Sequence, residues 1–100
     1  MKEFVVDLTA VTTWVQFIAA FNEGFIRPVS GDWNGNLDAF NDYLAWAGDK
    51  DVYEPFRLVL RGWNSLSGEI NEHKTWDGRH VLNVISEILR DNPHVQLVLE

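Results

Sequence analysis

The hydrophobic and polar positions follow two different periods along the chain. Three short runs rich in Val, Leu and Phe, at 3–8, 56–62 and 94–100, are of strand length and strand composition. The segments between them carry apolar residues three and four positions apart, which is the spacing of an amphipathic helix. Strands that alternate with helices predict an α/β fold built on a small parallel sheet.

The helical segments have recognisable ends. Thr13 and Gln16 have the spacing of a capping box, so a first helix of about ten residues is predicted from Thr12, with Gly24 as its stop signal. Its apolar positions are Val11, Trp14, Val15, Ile18 and Phe21. A second helix is predicted over 37–47 with Asn36 as its N-cap, and a third over 76–90.

Length and composition predict one ordinary globular domain spanning residues 1–100. The chain is 46% hydrophobic and 23% charged, which is typical of a folded protein. It contains no cysteine, so disulfides and thiol chemistry are excluded. The longest apolar run near the N-terminus, 17–21, is too short for a signal sequence or a membrane span. A cytoplasmic location, without membrane attachment, is therefore expected.

The charge is strongly negative and unevenly distributed. A formal net charge of -7 argues against direct nucleic-acid binding, which depends on Lys and Arg neutralising phosphates. Between residues 30 and 54 there are six acidic residues and one lysine. A basic partner that meets this segment is therefore expected.

The second helix presents two aspartates without a counter-charge. Its apolar residues fall on one side: Leu37, Phe40, Tyr43, Leu44 and Ala47. Asp38 and Asp42 lie opposite, surrounded by Ala39, Asn41, Ala45 and Trp46. Like charges one turn apart destabilise a helix, so this face is predicted to be a binding surface. The alternative is that Asp38 only complements the helix dipole and that Asp42 is an ordinary surface residue.

The motif "NLDAFNDYL" at 36–44, preceded by "DWNG", resembles the barstar family of ribonuclease inhibitors. The resemblance rests on six positions in register: Asn36, Leu37, Asp38, Ala39, Asp42 and Leu44. It implies a three-stranded parallel sheet packed with about four helices, and a protein that plugs the active site of a secreted-type microbial ribonuclease. It also implies that Asp38 and Asp42 carry much of the binding, and that Glu87 on the last helix adds a contact.

The sequence departs from the family pattern around this motif. Gly35 stands directly before Asn36, and Asn34 occupies the position expected for the glycine. Asn41 replaces a tryptophan of the best-known member, and Asp32 replaces a tyrosine. Trp33 keeps the following aromatic and is a candidate flat contact, although burial beneath its own loop is an equal alternative. The resemblance implies a partner-binding set comprising Trp33, Asn34, Gly35, Asn36, Asp38, Asn41, Asp42, Trp46 and Glu87.

The expected partner is a basic extracellular-type ribonuclease, bound by a chain that is monomeric when free and needs no cofactor. One alternative is an acidic immunity or interaction module for another basic protein or nuclease toxin. The other is an enzyme in which Asp38, Asp42 and Glu87 bind a metal or act as acid and base. The histidines at 73, 80 and 94 do not have metal-ligand spacing, and no nucleophile or phosphate-loop motif is present, so catalysis is disfavoured.

Overall fold

The chain forms a three-stranded parallel sheet with helices packed on one of its faces. The structure is a computed structural model that describes residues 2–29, 31–46 and 55–100. Strands β1 (Lys2–Asp7), β2 (Phe56–Arg61) and β3 (Val95–Leu99) lie in the order β1-β2-β3, so β2 is central. Both pairings are parallel. The predicted α/β class, the parallel sheet and all three strands are confirmed.

The described residues contain three α-helices rather than about four. These are α1 (Trp14–Phe21), α2 (Leu37–Trp46) and α3 (Val81–Arg90). Between β2 and α3 the chain makes only two short 3₁₀ turns, Trp63–Ser65 and Glu69–Asn71. Gly62 and Gly68 precede these turns with positive φ of 85° and 89°, a backbone region that favours glycine.

The N-terminus of α1 agrees with the sequence, but its C-terminus does not. The hydroxyl of Thr13 accepts from the amide of Gln16 at 3.2 Å, and the Gln16 side chain accepts from the amide of Thr13 at 3.2 Å, which completes the capping box. The prediction that Gly24 stops the helix is wrong. The chain continues through a π-helical turn, Asn22–Ile26, and a 3₁₀ turn, Arg27–Val29.

Gly24 does not end the helix but allows the backbone of the π-helical turn to lie close to β1. A Cβ at this position would lie 2.4 Å from the carbonyl oxygen of Val5 in β1. Only glycine lets the backbone of the turn lie so near the strand. The apolar stripe of α1 also differs from the prediction, because Val15 is 75% exposed whereas Phe17 is fully buried.

The third helix begins at Val81, so the predicted start at Trp76 is wrong. Residues 74–80 form a tight hairpin, here called the 74–80 hairpin, closed by an antiparallel bridge between Lys74 and His80. Gly78 completes its turn with φ of 85°, and its amide donates to the carbonyl of Thr75 at 3.0 Å. Helical periodicity is present only from Val81 onward, which explains the later start.

One hydrophobic cluster joins the inner face of the sheet to the three helices. Its largest fully buried side chains include Phe17, Phe21, Phe25, Phe40, Phe56, Leu44, Leu58 and Ile85. The opposite face of the sheet carries exposed cross-strand ion pairs, Glu3 with Arg57 at 3.3 Å and Arg61 with Glu100 at 3.6 Å. In the part of the chain that the structure describes, every helix is too short or too polar to cross a membrane.

Candidate partner-binding site

The turn before α2 is fixed by the side chains of two asparagines. Asn36 is the N-cap, as predicted, because its Oδ1 accepts from the amide of Ala39 at 3.0 Å. Oδ1 of Asn34 in turn accepts from the amide of Asn36 at 3.1 Å. Gly35 between them has φ of 96°, and a Cβ there would lie 2.8 Å from Cδ1 of Ile18 on α1. The loop directly before α2 therefore lies close against α1.

Trp33 lies in the core, which agrees with the alternative of burial and not with the candidate flat contact. Its side chain is 3% exposed and packs near the rings of Phe21 and Phe40 at centroid distances of 6.1 and 5.0 Å. Its indole nitrogen donates to the carbonyl of Asn36 at 2.7 Å. An aromatic ring buried in this way cannot offer a flat contact to a partner. It anchors the loop that precedes α2.

Buried Asn22 holds the same loop from the π-helical turn. Its amide nitrogen donates to the carbonyl of Trp33 at 2.8 Å, and the amide of Trp33 donates to Oδ1 of Asn22 at 2.7 Å. Both backbone groups of Trp33 are thus satisfied by one side chain that is only 5% exposed. This pair of hydrogen bonds holds the loop that leads into α2.

Asp38 and Asp42 lie on the exposed face of α2. Phe40 and Leu44 are fully buried on the opposite face, as the periodicity predicts, whereas Ala47 lies outside the described residues. Within residues 2–29, 31–46 and 55–100, neither aspartate makes an ion pair or a hydrogen bond. The two carboxylates are therefore available to groups outside the chain.

The structure gives less support for the other two predicted binding residues of α2, Asn41 and Trp46. Oδ1 of Asn41 accepts from the side-chain amide of Asn92 at 2.9 Å, and Asn92 also donates to the carbonyl of Ile88 at 2.8 Å. Asn41 therefore links α2 to α3 as well as facing solvent. Trp46 ends α2, but its side chain lies outside the described residues.

Glu87 on α3 already has a partner within the chain. Its Oε1 lies 2.6 Å from Nη2 of Arg79 on the 74–80 hairpin, and both side chains are about half exposed. The hydrogen bond from Arg79 lowers the pKa of the Glu87 carboxyl, and the same pair raises the pKa of Arg79. A partner that binds Glu87 must compete with Arg79, which is not so for Asp38 and Asp42.

A cleft of about 550 Å³ lies beside Asp38. It is formed by the starts of α1 and α2, the 74–80 hairpin and one side of α3. The lining residues include Trp14, Asn36, Asp38, His73, Lys74, Trp76, Asp77, Arg79, Val84 and Ile88. Its lining therefore combines acidic, basic and aromatic groups. The cleft connects the aspartate face to the hairpin.

The three histidines have separate structural positions. The His73 ring stacks on Trp14 at 5.4 Å, a ring nitrogen of His80 lies 3.1 Å from the carbonyl of Asn71, and one of His94 lies 2.9 Å from the carbonyl of Leu44. Across the described ranges, no group of three His, Asp or Glu side chains could hold a metal ion.

Comparisons with known proteins give no relatives for this chain: no family model, no curated protein and no solved structure matches it. The resemblance to the barstar family therefore stays a prediction that rests on the motif at 36–44.

Trp76 was not predicted as a site residue, although the structure leaves it 100% exposed on the wall of the cleft. The sequence contained a signal for this position. Asp77 and Gly78 form an Asp-Gly pair, which is a strong turn signal and is unfavourable in a helix interior. The pair therefore predicts a turn, and not a helix, next to Trp76.

Proposed function

We propose that this protein inhibits a basic microbial ribonuclease, and that Asp38 and Asp42 occupy the positions of RNA phosphates in the active site of the enzyme. The observation that carries the proposal is a pair of exposed carboxylates, one turn apart on α2, without an ion pair in the described part of the chain. The motif around them resembles that of the barstar family. The protein would act as a monomer inside the cell and would need no cofactor.

The chemistry of a ribonuclease active site supports this proposal. An enzyme that binds a polyanion lines its cleft with Arg, Lys or His side chains. Carboxylates can replace phosphates there through charge-assisted and bidentate hydrogen bonds. A helix that fills the cleft then excludes the substrate, so inhibition requires no reaction.

The rigidity of the site also favours binding. The loop before α2 is held by Asn22, Trp33 and Asn36 through hydrogen bonds of 2.7–3.1 Å. Because the carboxylates are mounted on a preorganised helix, little conformational entropy is lost when the enzyme is bound.

The test is RNA cleavage by small basic microbial ribonucleases, with and without the purified chain. The wild-type chain should inhibit at least one of them stoichiometrically. Asp42→Ala and Asp38→Ala should each weaken inhibition by about a hundredfold or more, because each leaves buried cations of the enzyme unpaired. Glu23→Ala removes the same charge from an exposed position on the π-helical turn and serves as the matched control.

Inhibition that is unchanged in Asp42→Ala, or equally weakened in Glu23→Ala, would contradict the proposal. If the chain bound the enzymes without blocking RNA cleavage, it would be an acidic interaction module rather than an inhibitor. Isothermal titration on the same samples distinguishes binding from inhibition.

A further inference from the structure

We propose that Trp76 is a second contact of this site, and that it packs against the same basic partner to which Asp38 and Asp42 bind. The inference rests on the proposed function and adds an element to it. It assigns to the 74–80 hairpin the aromatic contact that the sequence placed at Trp33.

The exposure of Trp76 is exceptional within the described residues. Trp33 is buried, and Trp14 and Trp63 pack against the core, whereas Trp76 is 100% exposed. The folded chain thus leaves the large apolar surface of this indole entirely in water. Tryptophan is among the residues most enriched at the energetic centres of protein interfaces, where partner contact removes that surface from water.

The hairpin fixes the backbone that carries Trp76. The amide of Thr75 donates to the carbonyl of Arg79 at 2.8 Å, and the amide of Gly78 donates to the carbonyl of Thr75 at 3.0 Å. The hydroxyl of Thr75 also donates to the carboxylate of Asp77. The backbone on both sides of Trp76 is therefore fixed before any partner arrives, which lowers the entropy lost on binding.

Trp76 shares its cleft with Asp38. The stacked rings of Trp14 and His73 form another part of the wall, and Val84 and Ile88 line the side of α3. The lining carries two basic side chains, Lys74 and Arg79, and two acidic ones, Asp38 and Asp77. Arg79 is already paired with Glu87.

An arginine of a basic partner fits this combination of groups. Its guanidinium can place its fork on the Asp38 carboxylate and its flat face on an indole ring. Lysine could use the charge but would use the aromatic surface less well. The partner chemistry is therefore that of a basic protein with arginine at the rim of its active site.

The test is the inhibition constant of Trp76→Ala against the ribonuclease that the wild-type chain inhibits most strongly. The constant should rise at least about tenfold, as for an interface hot spot, and Trp76→Phe should retain part of the effect. Val15→Ala removes exposed apolar surface from α1, outside the cleft, and should leave the constant unchanged. Thermal unfolding of all variants should match the wild type, because neither side chain is buried.

A second measurement observes the side chain directly. In the chain labelled with 5-fluorotryptophan, the ¹⁹F resonance that disappears in Trp76→Phe belongs to Trp76. It should show a large H₂O to D₂O shift when the chain is free and lose that shift in the complex.

The outcomes separate the two proposals. If Asp42→Ala loses inhibition while Trp76→Ala inhibits like the wild type and the Trp76 resonance stays solvent-exposed, this inference is overturned and the proposed function stands. If the wild-type chain inhibits none of the ribonucleases, the proposed function itself fails.

Discussion

At the scale of single residues, the carboxylates of this protein differ in whether an arginine of the chain pairs with them. Glu3, Glu87 and Glu100 are neutralised by arginines of the chain, at 3.3, 2.6 and 3.6 Å. Asp38 and Asp42 are not paired within the described ranges, although they repel each other along one helix face. A like-charge pair at this spacing destabilises a helix by a few tenths of a kcal/mol. A surface maintained at a cost to stability is typical of a binding site.

The Glu87–Arg79 pair should make the stability of the fold depend on pH. The pKa of Glu87 is lower in the folded chain than in the unfolded chain, because Arg79 donates a hydrogen bond to the carboxylate. The pair therefore stabilises the fold fully above the unfolded pKa of about 4.3 and loses its contribution as pH falls through the lower, folded pKa. Carbon-detected NMR titration should find the Glu87 midpoint below its ordinary value.

Arg79→Ala should raise that midpoint toward the ordinary value of a glutamate. The difference in the free energy of unfolding between this variant and the wild type should also disappear at acidic pH, since a protonated Glu87 gains nothing from Arg79. A midpoint that does not move in Arg79→Ala would contradict the ion pair.

At the scale of elements, helix ends were predicted well where a side chain makes the cap and poorly where packing decides. The caps of α1 and α2 are local hydrogen bonds of Thr13, Gln16 and Asn36, and the sequence predicts them. The continuation past Gly24 depends on contact with β1, which local sequence cannot reveal. The predicted start of α3 at Trp76 is too early, because the apolar spacing begins at Val81 and the hairpin hydrogen bonds exclude Trp76 from the helix.

Gly24→Ala tests the close approach of the π-helical turn to β1. The added methyl would lie 2.4 Å from the carbonyl oxygen of Val5, a backbone atom that cannot turn away. The free energy of unfolding should fall by about 1–3 kcal/mol, as for overpacking in a core. Urea denaturation measures this loss. Ala19→Ser adds one atom at an exposed position of α1 and should change the free energy by less than about 0.5 kcal/mol.

At the scale of the whole molecule, the net charge of -7 bears on the speed of association. A basic enzyme should be steered toward an acidic inhibitor before the two are in contact. Because salt shortens the Debye length from about 30 Å at 0.01 M to about 3 Å at 1 M, the association rate constant should fall by about tenfold or more over this range. Stopped-flow fluorescence measures it.

The variants separate this steering from short-range contact. Glu23→Ala should slow association slightly and leave the dissociation rate constant unchanged, because it alters only the long-range field. Asp42→Ala should mainly raise the dissociation rate constant. An association rate constant insensitive to salt would contradict electrostatic steering.

The sequence by itself determined the three strands, the two capped helix starts and the face of α2 that carries Asp38 and Asp42. These features follow from hydrophobic periodicity and from hydrogen bonds between near neighbours, which are encoded locally. Only the tertiary structure decided that Trp33 is buried, that Glu87 is paired with Arg79 and that Trp76 faces solvent beside Asp38. Each of these depends on which segments pack together in the fold, because burial and ion pairing are set by tertiary contacts and not by the residue type alone.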